Sequence, residues 1–106
     1  METKYARLNL KLKNDKVTNE DLEKWQKTLY ESALEGLADD VEVFYLETEK
    51  VIGVSVPYYD EGLSLLEAGM ALGYCQRTIE DNYVNIFNQS WNSLHESDGT
   101  VIESTL

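Results

Sequence analysis

The segment VEVFYLETEKVIGVSVP, residues 41–57, decides the fold class. Valine, isoleucine, phenylalanine and tyrosine dominate two runs, 41–47 and 50–56, that are joined by a polar Thr-Glu pair. Because β-branched and aromatic residues favour strands, two such runs around a short polar break predict a β-hairpin. Pro57 is expected to end the second strand, since its nitrogen has no proton to donate to a neighbouring strand.

Before this hairpin, the sequence predicts another strand over Tyr5–Lys13. Three leucines alternate there with polar residues, which is the pattern of a strand with one buried face. The polar residues, Arg7, Asn9 and Lys11 among them, are expected to face solvent.

A helix is predicted between that strand and the hairpin. Thr18 is a suitable N-cap, and Asp21 stands at the third helical position, as in a capping box. Apolar residues then recur at helical spacing as far as Leu37, and Gly36 is expected to help end the helix.

After the hairpin, residues 61–96 again carry apolar residues at helical spacing. A helix of that length is unusual in so small a chain, so a break is expected either near Gly73 or around Gln76–Thr78. A Ser-Asp-Gly turn follows, and residues 100–104 predict a short final strand.

The predicted order is β-α-β-β-α-(α)-β. It indicates an α+β fold of the ferredoxin-like, split βαβ type, with an antiparallel sheet and helices packed on one face. A length of 106 residues fits a single domain over residues 1–106.

Net charge limits the classes of partner. The chain has 20 acidic and 9 basic residues, and residues 28–106 contain only two of the bases, Lys50 and Arg77. Such a protein is repelled by nucleic acids and anionic membranes and attracted to basic protein surfaces. The single cysteine, Cys75, fits a reducing compartment, and no apolar run reaches the length of a membrane span. A cytoplasmic location is expected, in the host cell if a phage encodes the chain.

No pattern of catalytic or metal-binding residues stands out. His95 is the only histidine and is expected near solvent in a last helical turn, while Cys75 is expected to be a small buried side chain. The sequence therefore predicts no catalytic residue, no metal, no cofactor and no enzymatic activity.

The candidate contact site for a protein partner begins at Tyr58, Tyr59, Asp60 and Glu61. Tyrosine supplies rigid contact area and the acids supply electrostatic steering. The alternative is structural: one tyrosine packs in the core and Asp60 caps the second helix. The acidic pairs Asp39/Asp40 and Glu80/Asp81 complete the candidate site.

A second surface is predicted on the outer face of the sheet. The strand at residues 41–47 is apolar on both sides, whereas a sheet with one solvated face should alternate more clearly. Val43, Tyr45 and Val51 are therefore expected to be covered by another molecule, either a second copy in a homodimer or a partner protein.

Two functions remain open. The first is an acidic protein that occupies the basic nucleic-acid channel of an enzyme, in the manner of a DNA mimic. In size and charge alone the chain resembles small phage proteins that block CRISPR nucleases or restriction enzymes. The second is a homo-oligomeric regulatory domain that binds a small anionic ligand at a subunit interface, next to the basic first strand.

Overall fold

The structure, a computed structural model, describes residues 3–13, 17–36, 38, 40–82 and 86–105. Its elements follow in the order β1 (Lys4–Leu12), α1 (Asn19–Glu35), β2 (Glu42–Leu46), β3 (Val51–Tyr58), α2 (Leu63–Asn82), β4 (Phe87–His95) and β5 (Val101–Ser104). The strands form one antiparallel sheet in the order β2-β3-β1-β4-β5. The α+β class is confirmed, but the predicted ferredoxin-like topology is not matched, since the sheet has five strands.

The first helix begins and ends as its sequence predicts. The Thr18 hydroxyl accepts a hydrogen bond of 3.1 Å from the Asp21 amide, and Gly36 is the C-cap. Gly36 also allows α1 to approach α2 closely, because a Cβ atom there would lie 2.6 Å from the Cα atom of Ala71. Leu37, the last residue of the predicted apolar stripe, lies outside the described residues.

The core lies between the two helices and one face of the sheet. Even-numbered residues of β1 and β3 share that face, since Leu8 pairs with Val54 and Leu10 with Ile52. Opposite them the helices contribute Leu29, Ala33, Ala68, Ala71, Leu72, Cys75 and Ile79. Fully burying one such leucine or isoleucine side chain stabilises the fold by about 2 kcal/mol, so this layer supplies most of the driving force.

The prediction that helical structure extends to residue 96 is wrong. The helix α2 is continuous through Gly73 and through Gln76–Thr78, ends at Asn82, and is followed by the strand β4. Asparagine, serine and glutamine are frequent in β4 and favour a helix weakly. The apolar residues of β4 are three or four positions apart, as in a helix, so the pattern predicts a helix where the chain forms a strand.

The end of the chain and the end of the hairpin also differ from expectation. A final strand exists, but β5 pairs with β4 at the edge of the sheet, and β4 rather than β5 lies next to β1. Pro57 does not end β3, which continues to Tyr58 and pairs there with β1. A proline is tolerated because β2 pairs only with Val51–Ser55, which leaves that side of β3 open at Pro57.

The helices cover only part of the sheet. Within the described residues, α1 packs over β2 and β3, α2 packs over β3 and β1, and neither helix backbone approaches β4 or β5. The helix-side face of β4 is therefore open beside α2. Within the described residues, neither helix is long and apolar enough to cross a membrane.

Candidate functional site

The structure separates the four residues of the predicted contact site at positions 58–61. Tyr58 is 2% exposed and belongs to the core, and its burial raises the pKa of its hydroxyl. Tyr59 is 54% exposed. The Oδ1 atom of Asp60 accepts hydrogen bonds from the amides of Gly62 at 2.8 Å and Ser64 at 3.4 Å. One tyrosine in the core and an aspartate before α2 correspond to the structural alternative, so Tyr58 cannot contact a partner.

The predicted acidic residues fall into two groups. Asp40 and Tyr59 line one cleft of about 220 Å³ together with Glu67, close to the N-terminus of α2. Glu80 and Asp81 stand near the other end of α2, about 20 Å from Glu67 along the helix axis. Asp39 lies outside the described residues. The structure therefore places the two groups toward opposite ends of α2.

The three residues predicted to form an oligomer interface do not share a face. Val43 pairs with Val54 and Tyr45 with Ile52, so both point toward the helices and pack against the core. Val51 pairs with Leu46 on the opposite face of the sheet. The predicted apolar outer surface is therefore not formed by these residues.

Sequence reasoning missed an apolar surface on α2, which we call the α2 patch: Leu63, Leu66, Met70 and Tyr74. The first three are 68%, 62% and 53% exposed, and Tyr74 is 45% exposed. They are three or four positions apart, so they follow one face of the helix. The sequence contains this pattern, because α2 carries two apolar stripes. One is the α2 patch, and the other is the buried stripe that includes Leu72.

An apolar groove runs beside the α2 patch. Its volume is about 770 Å³, and it lies between α2 and the open helix-side face of β4. Leu65, Leu66, Gly69 and Met70 form one wall, and Leu94 stands on the other. Glu61 lies at the rim of this groove. A patch and a groove on the same helix form a continuous surface that is apolar at its centre.

Acidic side chains lie around the α2 patch, while Arg7 of β1 lines the groove beside it. Glu61 and Glu67 flank the α2 patch, and Asp40 and Asp60 lie on the adjoining loops. Arg77 is the only base between residues 51 and 106, and it lies beyond Tyr74, toward the C-terminal end of α2. We call the four acids Asp40, Asp60, Glu61 and Glu67 the acidic rim.

The outer face of the sheet holds a buried chain of polar groups. The Asn9 amide donates to the Ser93 hydroxyl at 2.9 Å, and Ser93 Oγ lies 2.6 Å from His95 Nε2. His95 Nδ1 lies 3.0 Å from the Gly99 carbonyl oxygen. Since that carbonyl can only accept, Nδ1 of the neutral ring carries the proton and Nε2 accepts from Ser93. The expectation of a solvent-exposed helical His95 is wrong, as is that of a solvated Asn9, which is 4% exposed.

Arg7 lies in the middle of the same face. Its guanidinium carbon is 4.8 Å from the centre of the Phe44 ring, whose outer end lies over Gly53. Arg7 Nε is buried without a hydrogen-bond partner among the described residues. Burial lowers the pKa of this guanidinium below its ordinary value, and the charge of Glu42 raises it by a smaller amount.

Two clefts meet at Arg7. One, of about 360 Å³, contains the acids Glu42, Glu96 and Asp98. The other, of about 570 Å³, is lined by both polar and apolar residues, and its charged members are Arg7, Lys11, Lys50 and Glu49. The second cleft therefore has an excess of positive charge on a protein whose net charge is −11.

Within the described residues, no group of three or more histidine, cysteine, aspartate or glutamate side chains is arranged to hold a metal ion. The chain matches no protein-family model, no curated protein and no solved structure.

Proposed function

We propose that the protein is a non-enzymatic acidic inhibitor that works in the cytoplasm. It docks with the α2 patch and the acidic rim on the basic surface of a nucleic-acid-binding enzyme and so keeps nucleic acid out. CRISPR nucleases and restriction enzymes are the classes of enzyme that fit this proposal best, because each binds nucleic acid in a basic channel.

One observation carries the proposal: an exposed apolar helix face is bordered by carboxylates of α2 and the adjoining loops. Leu63, Leu66 and Met70 are each more than half exposed, although a monomer gains nothing from keeping such side chains in water. Protein interfaces have an apolar centre within a polar rim, which is the arrangement here. The sign of the rim selects a positively charged partner.

The arrangement differs from a simple copy of DNA. The acidic rim lies around an apolar centre, whereas phosphates follow a duplex at one charge per ~1.7 Å of axis. We therefore expect the apolar residues to supply most of the affinity. The carboxylates should mainly raise the association rate and exclude partners that are not basic.

The partner can be identified by affinity capture from a lysate of the native host at low and at high salt, followed by mass spectrometry. The proposal expects a nucleic-acid-binding protein that is retained more strongly at low salt, since its contact with the acidic rim is screened by ions. The purified partner is then titrated with variants of the chain.

The paired substitution Leu66→Ser/Met70→Ser should weaken binding to that partner about 30-fold or more, because it removes two residues from the centre of the interface. The matched control is Val101→Ser, which changes a residue that is 56% exposed on β5, away from α2. Equal binding by both variants would contradict docking through α2.

A charge test avoids Asp60, whose carboxylate caps α2. Glu61→Lys/Glu67→Lys should weaken binding at low salt, and Glu80→Lys/Asp81→Lys, at the far end of the helix, should weaken it much less. If the distant pair has the larger effect, the acidic rim is not the contact surface.

A further inference from the structure

The cleft of about 570 Å³ on the outer face of the sheet places three cations around one aromatic ring. Arg7 pairs across the sheet with Ser93, and Asn9 pairs with Trp91. Arg7 and Lys11 are therefore the next residues on the same face of β1 on either side of Asn9, so both flank the Trp91 position. Lys50 also lines the cleft.

The arginine has lost water at Nε, and the charge of Glu42 in the neighbouring cleft offsets that loss only in part. Arg7 is half-buried, its Nε atom has no hydrogen-bond partner, and it forms no salt bridge with the described residues. Removing a charge from water is unfavourable unless an opposite charge and hydrogen bonds replace the water. A charged side chain that a folded protein buries in spite of this unfavourable desolvation marks a candidate binding site.

The surrounding residues hold Arg7 in place. Phe44 packs against the guanidinium and fills the space above Gly53. On the other side, the hydrogen-bonded chain through Asn9, Ser93 and His95 fixes the floor of the cleft. A charged group that is held in one orientation before binding loses less entropy when a ligand arrives.

We propose that this cleft binds a small aromatic anion, with its phosphate or carboxylate group between Arg7, Lys11 and Lys50 and its ring against Trp91. The volume is in the range of small-ligand sites and accommodates a mononucleotide. The acids Glu42, Glu96 and Asp98 lie in the neighbouring cleft on the other side of Arg7 and direct an anion toward the lysine side. This site is independent of the α2 patch and of the proposed inhibitor function.

The net charge of the protein does not prevent such binding. Charges more than about 8 Å from the cleft are largely screened at physiological ionic strength, whereas the three local cations act at short range. If these cations dominate the local field, affinity for the anion should rise as the salt concentration is lowered.

The test is a titration of the ¹⁵N-labelled full chain, followed by the indole N–H signal of Trp91, which Trp91→Phe identifies. The probes are AMP, inorganic phosphate, adenosine and benzoate. We expect saturable shifts with AMP or with benzoate at millimolar concentration or below, and none with adenosine. Binding of AMP but not benzoate assigns a phosphate ligand, and the reverse assigns a carboxylate. AMP should bind more tightly than phosphate alone.

Arg7→Gln and Lys11→Gln should each weaken binding of the effective probe about tenfold, the effect of losing one charge-assisted contact. Lys11 is exposed, so its variant keeps the test valid if Arg7→Gln disturbs the fold. Arg77→Gln, on α2, is the matched control and should leave the affinity unchanged. The proposal is overturned if neither AMP nor benzoate binds, if adenosine binds equally well, or if Arg7→Gln and Lys11→Gln both retain full affinity.

Discussion

Replacing Gly53 with alanine tests how the outer face of the sheet is built. A Cβ atom at this position would lie 2.5 Å from Cζ and 2.6 Å from Cε2 of Phe44. Carbon atoms in contact are separated by about 3.5–4.0 Å, so the overlap is about 1 Å and the ring must move. Gly53 is in the middle of β3, between β1 and β2, where the backbone cannot easily shift.

The expected cost is about 2 kcal/mol in the free energy of unfolding, the usual effect of inserting a carbon into a packed site. In a chain of this size that corresponds to a fall of about 10 °C in Tm. Movement of Phe44 should also release the Arg7 guanidinium that lies over its ring. Urea denaturation followed by circular dichroism measures the change in the free energy of unfolding. Thermal denaturation measures the change in Tm.

Two comparisons make the interpretation unambiguous. Gly73→Ala is the matched control, because a Cβ atom there meets nothing within 4 Å and the position is exposed in α2; it should raise the free energy of unfolding by about 1 kcal/mol. In a Phe44→Ala background, Gly53→Ala should lose its cost. If Gly53→Ala is equally destabilising in that background, or harmless in the wild type, the packing argument fails.

Two further predictions concern buried groups. The free energy of unfolding should fall as pH rises from 9.0 toward 12, because burial raises the pKa of the Cys75 thiol from 9.0 to about 12. Only the unfolded chain loses this proton in that window, at a cost of at most about 1.4 kcal/mol per pH unit. Urea titrations at several alkaline pH values should show that the free energy of unfolding of Cys75→Ala falls less steeply with pH than that of the wild type. His95→Ala should lower the free energy of unfolding by about 2 kcal/mol, since Ser93 and the Gly99 carbonyl lose their partner. Gln89→Ala, at an exposed position of the same strand, should change it little, and equal effects at both positions would contradict a structural role for the polar chain.

Local signals in the sequence identified much of the fold. The Thr18 cap, the alternation in β1 and the two β-rich runs of the hairpin are each determined by residues close together in the chain. They placed α1 and the first three strands close to their observed positions. The class of the fold follows from these elements alone.

Features that depend on pairing between distant segments were not predictable in the same way. The residues of β4 fit a helical period as well as a strand, and only their pairing with β1 decides between the two. The strand β2 has apolar residues on both sides, so its register with β3 decides that Val43 and Tyr45 face the helices. Because β4 lies beside β1, Asn9 is buried and Arg7 half-buried rather than solvated.

The candidate surfaces were found only in part for the same reason. Acidic residues are visible in any sequence, but their position relative to the α2 patch depends on the packing of α2 against α1 and the sheet. Tyr58 and Tyr59 are adjacent in the chain and have opposite environments, one buried and one exposed. A pattern of residue types could not tell which of the two is available for contact.

The most direct measurement of the proposed inhibition is a competition titration. A fluorescent duplex is bound to the enzyme captured from the host, and its anisotropy is followed as the acidic protein is added. We predict that the wild-type protein releases the duplex at stoichiometric concentration, and that Leu66→Ser/Met70→Ser needs about 30-fold more protein for the same release. A duplex that stays bound while the protein also binds the enzyme would contradict the account.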